Sequence, residues 1–176
     1  MESQAAVAHP TDQPDQRPET KPAPAYGAGP VASKAAIAGH PIHPMLIPFP
    51  VALLSLVPVT DIVFAATDSL FWASVSYYLL WAGLITAALA AVVGLVDFVG
   101  LERVRSVRAG WAHMLLNVAI VALTIVNLLL RIGDTVELVV PAGLIVSLVA
   151  AGLLIASGWY GGELVYRHQV GISERD

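Results

Sequence analysis

His40, His43, Asp97, His113 and Glu163 are the side chains through which this sequence could do chemistry. Imidazole and carboxylate together suit iron, zinc, nickel or manganese. Two imidazoles from different helices can also ligate haem iron inside a bundle. A carboxylate beside a histidine can orient a ligand rather than bind the metal, or it can relay protons. The expectation is therefore haem b with His43 and His113 as ligands, or a divalent metal held among His40, His43, Asp97, His113 and Glu163. Tyr166 and His168 follow Glu163 and would assist at the membrane interface. The plainer alternative is a hydrogen-bonded network whose only work is to hold helices together.

A second set of polar residues has a regular spacing. His113, Asn117, Thr124, Asn127 and Arg131 follow one another at intervals of 4, 7, 3 and 4. At about 100° per residue they fall on one line of a helix. That helix is otherwise apolar, so its polar line must face a bundle interior. Asp61 is expected to pair with Arg131, because an unpaired carboxylate at membrane depth is costly. Gly83, Thr86, Ala90 and Gly94, and later Gly143, Ser147, Ala150, Ala151, Gly158, Gly161 and Gly162, form stripes of small residues. Such stripes let helices approach closely.

The elements that must position these groups follow from composition. The chain has 176 residues, 57% hydrophobic and 12% charged, with a mean hydropathy of +0.74. Soluble domains carry about 25% charged residues, so a water-soluble enzyme is excluded. The absence of cysteine excludes disulfides, iron–sulfur clusters and thiolate metal sites. Four apolar runs, at 50–66, 71–99, 110–130 and 138–160, each approach the roughly 20 residues that a bilayer needs. Short links between them require antiparallel neighbours. The fold class is all-α: a membrane-embedded antiparallel four-helix bundle over 36–172, behind a Pro-rich N-terminal tail. Residues 1–35 carry Pro10, Pro14, Pro18, Pro22, Pro24 and Pro30 without apolar periodicity and read as disordered. Residues 173–176 are a short C-terminal end. The prolines of 40–49 predict an extended or turned entry, with the first regular helix starting near Pro50.

Arg17, Lys21, Lys34, Arg103, Arg105, Arg108, Arg167 and Arg175 fall on one side of this arrangement, the first two far from the first helix, and Arg131 on the other. The positive-inside rule then places both termini in the cytoplasm, with no secretory signal at the start. His40, His43, Asp97, His113 and Glu163 converge on that same face. The sequence has no nucleotide-binding loop, no nucleophile elbow and no zinc-protease motif. Enzyme activity is therefore not the favoured reading, and no basic patch points to nucleic acid.

The entry Gly39-His40-Pro41-Ile42-His43-Pro44-Met45-Leu46-Ile47-Pro48-Phe49-Pro50 and the exit Gly158-Trp159-Tyr160-Gly161-Gly162-Glu163-Leu164-Val165-Tyr166-Arg167-His168 resemble the bacterial membrane family DUF2231, over residues 38–172. His113 with Asn117 fits that layout. The family is one of unknown function with predicted membrane spans. Some of its members carry the unit beside Rieske-type or cytochrome-like modules, and the resemblance therefore implies electron transfer. Many members have a further histidine where this chain has Pro48. The first functional expectation is a redox-associated module of the bacterial cytoplasmic membrane. The others are a non-catalytic scaffold or accessory subunit, and a small proton or ion path. The expected partners are the lipid bilayer, a redox or other membrane protein, and a second copy of the chain.

Overall fold

A computed structural model of the chain describes residues 29–133 and 136–172. A two-residue hairpin, β1 (Ala36–Ile37) and β2 (His40–Pro41), pairs antiparallel with Ile37 opposite His40. Ala38 and Gly39 turn it at φ 49° and 77°, the left-handed pair that a two-residue hairpin loop requires. The helices follow: α1 (Ile42–Leu46), α2 (Pro48–Thr67), α3 (Leu70–Gly100), α4 (Glu102–Ser106), α5 (Arg108–Leu130) and α6 (Leu144–Tyr166). A π-helical turn, Val139–Gly143, leads into α6.

The entry departs from the extended reading. Ile42–Leu46 is helical despite Pro44, and α2 begins at Pro48. The reason is position. Pro44 lies in the first turn of α1, and Pro48 and Pro50 in the first turn of α2. Backbone N–H groups there have no intrahelical acceptor to lose. Residues 29–35 also depart from the tail assigned by composition. Val31 bridges to Val170, and the Lys34 and Ala35 N–H groups bind Asp97. Contacts distant in sequence order this strap. The tail before residue 29 and the end beyond residue 172 lie outside the described residues.

Four helical segments, Ile42–Thr67, Leu70–Gly100, Arg108–Leu130 and Val139–Tyr166, are long and apolar enough to cross a membrane. Their outer faces carry side chains such as Val92, Ile155 and Trp159, which are 65%, 79% and 76% exposed. That surface suits hydrocarbon and not water. The inner faces recur at intervals of three and four, the spacing of left-handed helix packing. Leu54, Val57, Asp61 and Phe64 are buried on α2, and Ala73, Ser76, Leu80 and Gly83 on α3. Ile120, Thr124 and Asn127 are buried on α5, and Ser147, Ala150, Ser157 and Leu164 on α6. α2 packs chiefly on α3, and α5 on α6.

Three apolar clusters divide the interior. Leu54, Val57, Leu80, Ile120 and Leu128 form the middle layer. Phe64, Ala73 and Val139 close one end. Leu101, Val104, Ala109 and Leu164, with Val31 and Val170 of the strap and C-terminal segment, close the other. Polar side chains occupy the two levels between these clusters.

Candidate functional site

The strap end of the bundle brings His43 and His113 together. Their ring centres are 6.1 Å apart, with the planes at 90°. His43 stands on α1, which runs into α2 and carries the ring into the bundle. Its Nδ1 is 2.8 Å from the Ala90 carbonyl of α3. His113, on α5, has its Nδ1 2.9 Å from the Ser157 carbonyl of α6. A carbonyl oxygen only accepts, so each Nδ1 carries the proton and donates it. In the neutral imidazole Nε2 then keeps its lone pair.

Each ring lies against a glycine of the helix that holds it. A Cβ on Gly94 would come 2.8 Å from the His43 ring, and one on Gly161 would come 3.1 Å from the His113 ring. These two members of the small-residue stripes therefore make room for imidazoles as well as for helix approach.

Asn117 braces the pair. Its amide donates to the His113 carbonyl at 2.7 Å and to the Ser157 hydroxyl at 2.7 Å. A third contact, to His113 Nε2, is longer at 3.3 Å. An amide has two hydrogens, and the two short bonds use both. Among the described residues no hydrogen bond uses the Nε2 of His43. The pair thus presents two anchored imidazoles: the His43 Nε2 makes no hydrogen bond with the described residues, and the His113 Nε2 has one long contact from Asn117.

The other expected groups are placed elsewhere. Asp97 accepts from the Ser33 hydroxyl at 2.6 Å and from the N–H groups of Lys34 and Ala35 at 2.7 and 3.1 Å. It holds the strap. Glu163 pairs with Arg167 at 3.0 Å. His40 is exposed and donates from Nδ1 to its own turn at Ala38, 2.9 Å away. Tyr166 is exposed, and the His168 N–H closes the end of α6 on the Glu163 carbonyl. Among the described residues no three histidine, aspartate or glutamate side chains gather as they would around a metal ion.

At the opposite end Arg131 and Asp61 form an ion pair, both 0% exposed. Arg131 Nη2 donates to both Asp61 oxygens at 3.1 Å. Its Nη1 donates to the Ser76 hydroxyl at 2.8 Å, and its Nε to Asn127 Oδ1 at 3.1 Å. Ser76 and Ser147 donate to the two Asp61 oxygens at 2.5 and 2.9 Å. Asn127 completes the set by donating to the Gly143 carbonyl at 3.0 Å. Thr124 stays within its helix, donating to the Ile120 carbonyl at 2.8 Å.

Ser76 and Ser157 were absent from the residues singled out by sequence. The signal for both is the inner-face spacing. Ser76 lies seven residues before Gly83, and Ser157 four before Gly161. Extending each small-residue stripe along its own line reaches them.

The family model described as a predicted membrane protein, DUF2231, matches residues 39–174. The chain belongs to the DUF2231 family. The matched segment spans the four long helices and contains both histidines of the pair, the Asp61–Arg131 ion pair and Asp97. No curated protein and no solved structure matches this DUF2231 chain.

Proposed function

We propose that this DUF2231 protein is a redox-associated membrane module that holds haem iron, or another metal ion, between His43 and His113. The observation that carries this reading is the pair itself: two imidazoles from different helices, each fixed by an Nδ1–H bond to a main-chain carbonyl, with the rings 6.1 Å apart. Metal-ligating histidines characteristically donate their second ring nitrogen in this way. His43 and His113 would be the residues that hold such a group, each through its Nε2. The donor count favours haem over a bare divalent ion. A zinc site needs four ligands, whereas His43 and His113 would be enough protein ligands for a haem.

When bound, haem supplies one-electron transfer. The protein's own residues do the rest. Ala90 and Ser157 fix the imidazole tautomers, Gly94 and Gly161 seat the rings, and Asn117 ties α5 to α6 beside them. Asp97 acts at one remove by pinning the strap across this end.

A specific observation also favours the scaffold reading. Both Nδ1 bonds run from one helix to another, so the histidines tie helices together without any ligand. Purification in mild detergent from cells supplied with haem precursor and metals separates the two. The expected result is a Soret band that shifts on reduction, with iron near one per chain. Neither a Soret band nor stoichiometric metal would leave the scaffold reading in possession. The path reading draws less support, because the apolar layer of Leu54, Val57, Leu80, Ile120 and Leu128 separates the two polar levels.

We place the strap end at the cytoplasmic face of the bacterial inner membrane, with both termini inside. Lys34, Arg103, Arg105, Arg108 and Arg167 lie at that end and Arg131 at the other, which is the bias expected of cytoplasmic loops. A reporter active only in the periplasm, fused after Asp176, should be silent.

A further inference from the structure

We propose that the groove between the strap and the corner joining α3 to α4 binds the phosphate headgroup of an anionic phospholipid. The groove has a volume of about 480 Å³ and is lined by Lys34, Gly100, Glu102, Arg103 and Ser106, among others. Its depth is that of lipid headgroups. α3 ends at Gly100 and α5 begins at Arg108. Trp111, 46% exposed, donates from Nε1 to the Arg105 carbonyl at 2.9 Å and packs edge-on against Phe98. Such half-exposed tryptophans mark the membrane interface.

The two cations of the groove are held in position by the fold. The Lys34 main chain is pinned by its N–H bond to Asp97 Oδ1 at 2.7 Å. Its side-chain stem lies on Gly100, where a Cβ would come 2.9 Å from Lys34 Cγ. The Arg103 guanidinium donates to the Gly29 carbonyl at 2.5 Å. The two side chains thus bring positive charge to the same cavity, with Glu102 as the opposing carboxylate on its wall.

The local structure does not use the Lys34 charge. A cation at this point could serve the carbonyls at the end of α3. Arg105 already does so, donating to the carbonyls of Phe98 and Val99. The Lys34 ammonium makes no hydrogen bond or ion pair with the described residues. A phosphodiester at headgroup depth meets it directly, at about 1 kcal/mol for each cation near an anionic surface. This site is independent of whether His43 and His113 hold a metal.

Thermal unfolding of the full chain in mild detergent tests the proposal, with added phosphatidylglycerol compared with phosphatidylcholine of the same acyl chains. Phosphatidylglycerol should raise the Tm saturably and phosphatidylcholine should not. Lys34→Gln should weaken half-saturation about fivefold, the equivalent of that 1 kcal/mol, and Lys34→Glu should abolish the response. Arg167→Gln, which removes an exposed cation away from the groove, should leave it unchanged. Equal stabilisation by both lipids, or a Lys34→Glu variant that responds as the parent does, would overturn the proposal. So would an equal Tm rise with inorganic phosphate alone, which would assign the groove to free phosphate.

Discussion

Two polar levels lie in one bundle, and they use their hydrogen-bonding capacity differently. At the Asp61–Arg131 level both charges are fully buried, and Ser76, Asn127 and Ser147 complete their bonds. Among the described residues, no buried side-chain nitrogen or oxygen there lacks a hydrogen bond. At the His43–His113 level each imidazole is anchored through Nδ1, and among the described residues only the His113 Nε2 has a further contact, a long one from Asn117. Both levels are built by the same device, a polar side chain on one helix meeting a small or hydroxyl residue on the next. The difference is saturation. A satisfied buried network specifies how helices pack. An anchored pair in which the His43 Nε2 accepts no hydrogen bond from the described residues has in addition a donor atom for a ligand.

That contrast is tested most severely at the ion pair. Asp61→Ala or Arg131→Ala leaves a buried charge without its partner and should cost about 3–5 kcal/mol. Denaturant titration in detergent should show it as loss of most folded protein. Replacing both by leucine should recover a large part of that stability. Single variants as stable as the parent would break the structural assignment of this level. At the other level the largest effect should be on ligand and not on folding. His43→Ala and His113→Ala should each lose the bound cofactor, read by absorbance and iron content, while the melting temperature falls less than in the Asp61 variant. A cofactor retained in both variants would remove the pair from the proposed function.

Smaller effects sharpen the comparison. Gly94→Ala puts a Cβ 2.8 Å from the His43 ring, and Gly161→Ala puts one 3.1 Å from the His113 ring. Cofactor affinity should fall in both, by about tenfold where a ligand's support is disturbed, and further for Gly94→Ala. The two asparagines should differ most subtly. Asn117→Leu loses one interhelical hydrogen bond, to the Ser157 hydroxyl, worth about 0.6 kcal/mol. Asn127→Leu should cost more, because Asn127 Oδ1 accepts from the buried guanidinium. Equal melting temperatures for these two variants would argue that the levels are alike.

Much of the architecture was legible in the residue pattern. Four apolar runs with short links specify an antiparallel bundle, and the spacing from His113 to Arg131 sets one polar line along α5. The entry was harder to read, because proline rules describe helix interiors, whereas Pro44, Pro48 and Pro50 stand in first turns. The strap was hidden for another reason. Residues 29–35 have no pattern of their own and are ordered by Asp97 and Val170. Within the candidate site, His43 and His113 could be named from their type and depth. Ser157, Ala90, Gly94 and Gly161 could not be given their roles, since two of them act through a main-chain carbonyl and two through a missing side chain.

The sequence by itself determined that this chain lives in a membrane, because its charge is too scarce to cover a surface in water. It also determined which helix face turns inward, since polar groups in hydrocarbon must find one another. Only the tertiary structure decided how the polar groups were divided. Asp97 and Glu163 share the end of the bundle with the histidines, yet one is taken up by the strap and the other by Arg167. Membership of a site depends on which hydrogen bonds a side chain has already made. Those partners come from residues up to 64 positions away, which helix periodicity cannot count.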